Sequence, residues 1–119
     1  MHIDPFTRAL LKETDKNAID KYGEDVRFVL IEIRDGRPEV MSKIWPSISR
    51  AADGIVEMIA NENNTANIQV SYTNYRPDNA VDIHVKYTDM HQILYYKTIW
   101  LIAPIVKNET GWHAASAVH

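Results

Sequence analysis

Cysteine is absent from this chain of 119 residues. That excludes disulfide cross-links, thiolate catalysis and every zinc site built on sulfur. It leaves the compartment open, because a domain without thiols is viable in either redox environment. A membrane-crossing run is missing too. The longest apolar stretch, Ile99-Trp100-Leu101-Ile102-Ala103-Pro104-Ile105-Val106, falls far short of the ~20 residues that span a bilayer and has a proline inside it, so it reads as a buried strand. Nor is positive charge in excess: 13 Lys and Arg against 16 Asp and Glu give a net charge of −3. The chain as a whole has no general attraction for phosphate backbones or anionic lipid, and direct nucleic-acid binding is not expected. Internal repeats and low-complexity segments are absent.

What is present is ordinary globular composition, 45% apolar and 24% charged. The length supports one small core, with about two-thirds of the unfolded surface buried, and excludes a second domain. The opening string Met1-His2-Ile3-Asp4-Pro5-Phe6-Thr7 is similar to the remnant that a common expression vector and tag leave behind. Residues 1–7 are therefore set aside as a vector-derived tail, residues 8–119 are read as a single domain, and native chain is expected upstream of Arg8.

Ala9, Leu10, Leu11, Ala18 and Ile19 among charges predict a helix from Arg8 to Lys21 with a thin apolar face, closed at Tyr22-Gly23. Residues 25–36 fit a strand or a short buried helix, the β-branched content favouring strand, and Asp35-Gly36-Arg37-Pro38 is a turn in either case. Val40, Met41, Ile44, Ile48, Ala51, Ala52, Ile55, Val56 and Ile59 recur at threes and fours, the mark of one helix face. Pro46 divides them into a short helix ending near Trp45, or a kink, and a main helix from about Pro46 to Asn61. Gly54 weakens that helix and suits the close approach of a neighbouring backbone.

After the polar loop 61–67 the chain alternates apolar and polar residues almost to its end, predicting antiparallel strands at 67–72, 80–87, 93–106 and 112–118. In the second, Val81, Ile83, Val85 and Tyr87 face one way and Asp82, His84, Lys86 and Thr88 the other, one side core and one side wet. The third is apolar on both faces, Ile93, Tyr95, Ile99 and Leu101 against Leu94, Tyr96, Trp100 and Ile102. It should be central, and either the sheet curls or a partner covers its second face. Pro104 marks a bulge or the strand's exit.

No motif of comparable strength carries chemistry. Asp82 and His84 share a strand face, and Tyr96, Thr98 or His113 could approach them, which gives a proton-transfer site if a pocket encloses them. The same alternation reads more simply as a solvated face. His84, His91, His113 and His119 lack metal-ligand spacing, so neither metal nor cofactor is expected. Tyr95-Tyr96 and Trp100 could stack bases, but too few basic residues surround them. Core packing or a protein interface suits them better, with Tyr96 and Trp100 as partner-binding anchors if exposed. Asn63-Asn64-Thr65 and Asn108-Glu109-Thr110 fit the glycosylation pattern, which is frequent by chance and decides nothing.

These elements make an α+β fold, N-terminal helices packed on a curved four-stranded antiparallel sheet, similar to the cystatin-like or nuclear-transport-factor-two-like cone, which hosts many functions. The segment from Val70 to Val85, with Asn74-Tyr75-Arg76-Pro77-Asp78-Asn79 at its turn, resembles a strand–turn–strand of the periplasmic domain of VirB-type inner-membrane assembly proteins of type IV secretion and conjugation. Lys97-Thr98-Ile99-Trp100-Leu101-Ile102-Ala103 resembles that family's penultimate strand and Gly111-Trp112-His113-Ala114-Ala115-Ser116 its last. Asp25-Val26-Arg27 and Pro38-Glu39-Val40 resemble parts of its helical segment. The family's Asn-Pro-x-Gly turn is represented here by Asn108 and Gly111 without the proline.

The resemblance implies a non-enzymatic assembly domain of a DNA-transfer channel. Its native protein would be bitopic, anchored in the inner membrane upstream of Arg8 with this domain outside the cytoplasm, and would bind other channel proteins and itself. The alternative is a small isomerase- or dehydratase-like enzyme, or a ligand-binding protein, of the same cone, using Asp82, His84 and Tyr96. An immunity or phage accessory protein also suits the size and acidity.

Overall fold

Helix α1, Pro5–Tyr22, opens the computed structural model of this chain, which describes residues 3–34, 36–63, 68–73, 79–88 and 91–118. Side chains are described within these ranges except at 34, 62–63, 68–69, 71–73, 94–99 and 118. Asp4 caps the helix, accepting from Thr7 N at 2.9 Å and Thr7 Oγ1 at 2.6 Å, and Pro5 takes the first helical position. Ile3 is buried in the core. Residues 3–7 thus pack with the rest of the domain. Leu11, Thr14, Ala18 and Tyr22 form the narrow buried stripe, and the Thr14 hydroxyl is satisfied by Leu10 O at 2.9 Å. Gly23, at φ +96°, ends the helix with its N–H on Ile19 O.

The chain continues through β1 (Arg27–Arg34), β2 (Arg37–Trp45), α2 (Ile48–Asn63), β3 (Ile68–Thr73), β4 (Val81–Thr88), β5 (Leu94–Asn108), β6 (Gly111–Ala114) and α3 (Ala115–Val118). The strands form one open antiparallel sheet in the order β2-β1-β5-β4-β3, with β6 also on β5. The α+β class holds: helices on an antiparallel sheet. The sheet has six strands, and the two beyond the expected meander are β1, where strand was favoured, and β2, where helix was expected.

Segment 38–45 is a correction. Arg34 and Arg37 pair across a two-residue connection whose Gly36 has φ +76°, so β2 folds straight back on β1. Val29 then pairs with Ile44 but Ile31 with Val40. A two-residue step on β1 opposes a four-residue step on β2, a bulge of two extra residues, and Val40 and Ile44 lie on one face with Met41 and Trp45 against the core on the other. A bulged strand has borrowed helical spacing.

The main helix is α2, which buries Ile48, Ala51, Ala52, Ile55, Val56 and Ile59 against the sheet. Its first turn is fully capped, but not from its own segment alone. Asp15 of α1 accepts from Ile48 N, Ser49 N and Ser49 Oγ, while Ser47 Oγ accepts from Arg50 N at 3.1 Å. Arg8 and Asp53 join the same helices at 2.8 Å, and that bond raises the Arg8 pKa above its usual value. Gly54 makes room for a side chain, not a backbone: a Cβ there would lie 2.6 Å from Cζ2 of the Trp45 indole.

β5 is central, as expected. Its residues 99–105 pair with β1 and 94–102 with β4. Ile105 pairs with both Arg27 and Ala114, so β6 lies on the β4 side of β5. Pro104 falls between Ile102, the last partner of β4, and Ile105, the first of β6. There one side of β5 has no ladder partner, and a residue without an N–H is tolerated; the strand runs on to Asn108. The strand expected at 112–118 stops at Ala114, and the alanine-rich Ala115–Val118 turns helical and buries Ala115.

Candidate functional site

Alternation along β1 and β5 divides their side chains between two faces. Phe28, Leu30, Glu32, Trp100 and Ile102 face α1 and α2 and are buried, together with Val81, Ile83 and Val85 of β4. Val29, Ile31, Ile33, Leu101 and Ala103 point the other way and are half-buried. The bulge in β2 adds Val40, 63% exposed, and Ile44, 39% exposed, to this outer face. One cross-strand row reads Val40, Ile31, Leu101, Asp82, and the next Ile44, Val29, Ala103. At the far end Ile105 and Lys107 lie opposite Ala114 and Trp112; Trp112 is 40% exposed, with Lys107 Nζ 5.9 Å from its ring centre.

The result is a continuous apolar surface from β2 across β1 to β5. Its polar border is Arg27 at one end and Asp82, His84 and Lys86 along β4. Such a surface can bury itself against another apolar face.

Trp100, named as an anchor if exposed, is 2% exposed, and its indole Nε1 is buried with no hydrogen-bond partner among the described residues. It packs sheet against helices and is not a surface anchor. Tyr96 lies in the irregular stretch of β5 between the Val85–Thr98 and Tyr87–Tyr95 pairs, and its side chain is outside those described. Asp82, half-buried, and His84, exposed, share the outer face of β4. Catalysis inside the fold would need them on the opposite side, where Ile48, Ile55, Ile59 and Ile83 are packed.

Among the described residues no three His, Asp or Glu side chains gather as a metal site. His84 is on β4 and His91 is exposed in the turn before β5. His113 Nε2 lies 2.6 Å from Thr110 Oγ1, which in turn is 2.8 Å from Asn108 Oδ1. Asn108 also accepts from Thr110 N at 2.9 Å, so these three residues lock the β5–β6 turn. His119 is outside the described residues. No helix is long and apolar enough to cross a membrane, among the described residues.

Val40 and Ile44 are the surface residues that sequence reasoning assigned to a helix core. The signal for their true place was Asp35-Gly36 between two β-rich segments, the commonest two-residue hairpin pair. Set against protein-family models, curated protein sequences and solved structures, the chain matches none.

Proposed function

We propose that this chain is a non-enzymatic protein-interaction domain, an assembly part of a type IV secretion or conjugation channel, and that the outer face of its sheet is the docking surface. The observation that carries this is the exposure of Val40 and Ile44 at the edge of an apolar face that neither long helix covers. Contiguous apolar surface of this kind on a small domain marks an interaction site. Burying Val40, Ile44 and Trp112 on a partner would return about 1–2 kcal/mol each before the cost of association. The channel itself is supported by the resembling segments between Val70 and Ser116. In this proposal the native protein is anchored in the inner membrane upstream of Arg8, and the domain works outside the cytoplasm.

The test is pairwise binding of the domain to the other proteins of its channel, with a Val40→Glu, Ile44→Glu variant beside the wild type. At least one channel protein should bind, and the double variant should weaken that binding by about tenfold or more, as loss of interface anchors does. Lys12→Glu, on exposed α1 surface, should leave it unchanged. Absence of binding, or binding indifferent to both outer-face substitutions, overturns the proposal. The native gene upstream of the Arg8 codon should encode about 20 apolar residues behind a short basic tail, and a start codon within a few residues of Arg8 removes the anchoring.

A further inference from the structure

We infer that the free edge of β3 is a peptide-binding site, which takes up an extended, uncharged segment of another protein as a further strand of the sheet. The site is separate from the outer face. Its occupant bonds through the backbone, where the outer face would bury apolar side chains.

The two ends of the sheet are built differently. β2, the edge strand at one end, carries Pro38, the bulge between Val40 and Ile44, and the charges of Arg37, Glu39 and Lys43, all of them devices that keep a strand from pairing further. β3, the edge strand at the other end, has none of these. Its sequence Ile68-Gln69-Val70-Ser71-Tyr72-Thr73 holds no charge, proline or glycine, and it pairs with β4 without a break from Ile68–Tyr87 to Thr73–Asp82. Among the described residues no strand pairs with its other side. In an antiparallel ladder alternate residues turn their N–H and C=O away from the partner strand, so about three residues of β3 offer both groups to an arriving chain.

α1 decides what kind of chain can use them. The helix packs on α2 and on β3. Arg8 and Asp15 mark its α2 side, being bonded to Asp53 and to Ile48 and Ser49. At about 3.6 residues per turn the opposite flank is Leu10, Glu13 and Asn17, of which Leu10 is half-buried and the other two exposed. A helix with its side chains is about 5–6 Å in radius, and the next strand position lies about 4.8 Å out from β3, so this flank overhangs it. A segment whose alternate side chains are apolar would place them beneath Leu10, on the helix side where Val70 of β3 is buried.

The same overhang rejects a sheet edge that carries its own helix. Joining two copies of this chain as an antiparallel edge pair keeps both helical layers on one face and would set the two α1 axes on the order of 5 Å apart, where packed helices need about 8–10 Å. A lone extended segment brings no helix. Strand addition of this kind draws affinity from main-chain hydrogen bonds and specificity from alternate side chains.

Amide hydrogen exchange of the isotope-labelled whole chain tests the site, with a short capped peptide of alternating valine and threonine, a lysine at each end, as the probe. At about 1 mM peptide, alternate amides of residues 68–73 should slow by about fivefold or more, while those between them, already turned to β4, should not change. Of two peptides N-methylated at alternate amides along one edge or the other, at least one should bind within about threefold of the parent. A peptide methylated along both edges should lose about tenfold or more, because pairing needs one free edge. Leu10→Glu, with an unchanged circular-dichroism spectrum, should weaken the parent peptide by about tenfold, and Val40→Glu, Ile44→Glu should not weaken it.

Amides of 68–73 that do not slow, undiminished binding of the fully methylated peptide, or binding indifferent to Leu10 each overturns the inference. Binding lost in the Val40→Glu, Ile44→Glu variant would move the peptide to the outer face, which overturns this site and leaves the docking proposal standing. Slowing of the same amides when the chain is concentrated without peptide would put a second copy at the edge and overturn the choice of occupant.

Discussion

Leu30 and Ile31 are neighbours on β1 and nearly identical in chemistry, yet Leu30 is 1% exposed beneath the helices while Ile31 is half-buried on the open side. The same contrast repeats on β5 between Ile102 and Leu101. The inner face is finished by the chain itself, because α2 supplies a matching stripe from Ile48 to Ile59. The outer face has equally apolar strands and no cover from either long helix. Hydrophobic strand composition is thus alike on the two faces, and the position of the helices decides which of them folding buries.

Truncation should break this symmetry of composition most strongly. Leu30→Ala should destabilise the monomer by about 2–5 kcal/mol, whereas Ile31→Ala, with solvent already beside it, should cost about 1 kcal/mol or less in urea unfolding. Equal losses would mean that the outer face is as enclosed as the inner one. Next in size is Gly54→Ala. Alanine favours a helix by about 1 kcal/mol over glycine, but the new methyl collides with the Trp45 indole, and overpacking costs about 1–3 kcal/mol. A net loss is expected in thermal unfolding, and it should disappear in a Trp45→Leu background.

How much of this was readable from residues alone divides along the same line. The meander from β3 to β6 was visible because strict alternation has one structural reading, and the main helix because Ile48, Ala52, Ile55 and Ile59 repeat at helical spacing. β2 was hidden, since its bulge separates Val40 from Ile44 by four residues and mimics a helix turn. The last strand was drawn too long because Ala115-Ser116-Ala117 continues an alternating pattern that alanine can equally place in a helix. Val40 and Ile44 were readable as apolar but not as exposed. Exposure depends on which face α2 chose, and no residue of β2 encodes that choice.

Smaller effects sharpen the contrast from the surface side. Val40→Glu should move the monomer's unfolding free energy by no more than about 0.5 kcal/mol, although its effect on association is the largest expected of any single outer-face change. The least effect concerns pH. The hydrogen bonds from Thr7 hold the Asp4 carboxyl below its usual value of 3.8. Its folded pKa being the lower one, its contribution to the α1 cap is complete above the unfolded value and fades as pH falls through the depressed one. An NMR titration should therefore show Asp4 titrating below 3.8, with amide exchange at Thr7 rising only below that point, and a midpoint at or above 3.8 would remove the cap from the account.

Asp15 has a consequence for how the helical layer comes apart. Because the carboxylate on α1 accepts from the first two amides of α2, lifting α1 away strands two donors at the start of a helix more than thirty residues later in the chain. The two helices therefore share one opening event. In native-state hydrogen exchange the amides of α1 and those of the first turn of α2 should belong to a single cooperative unit, released together.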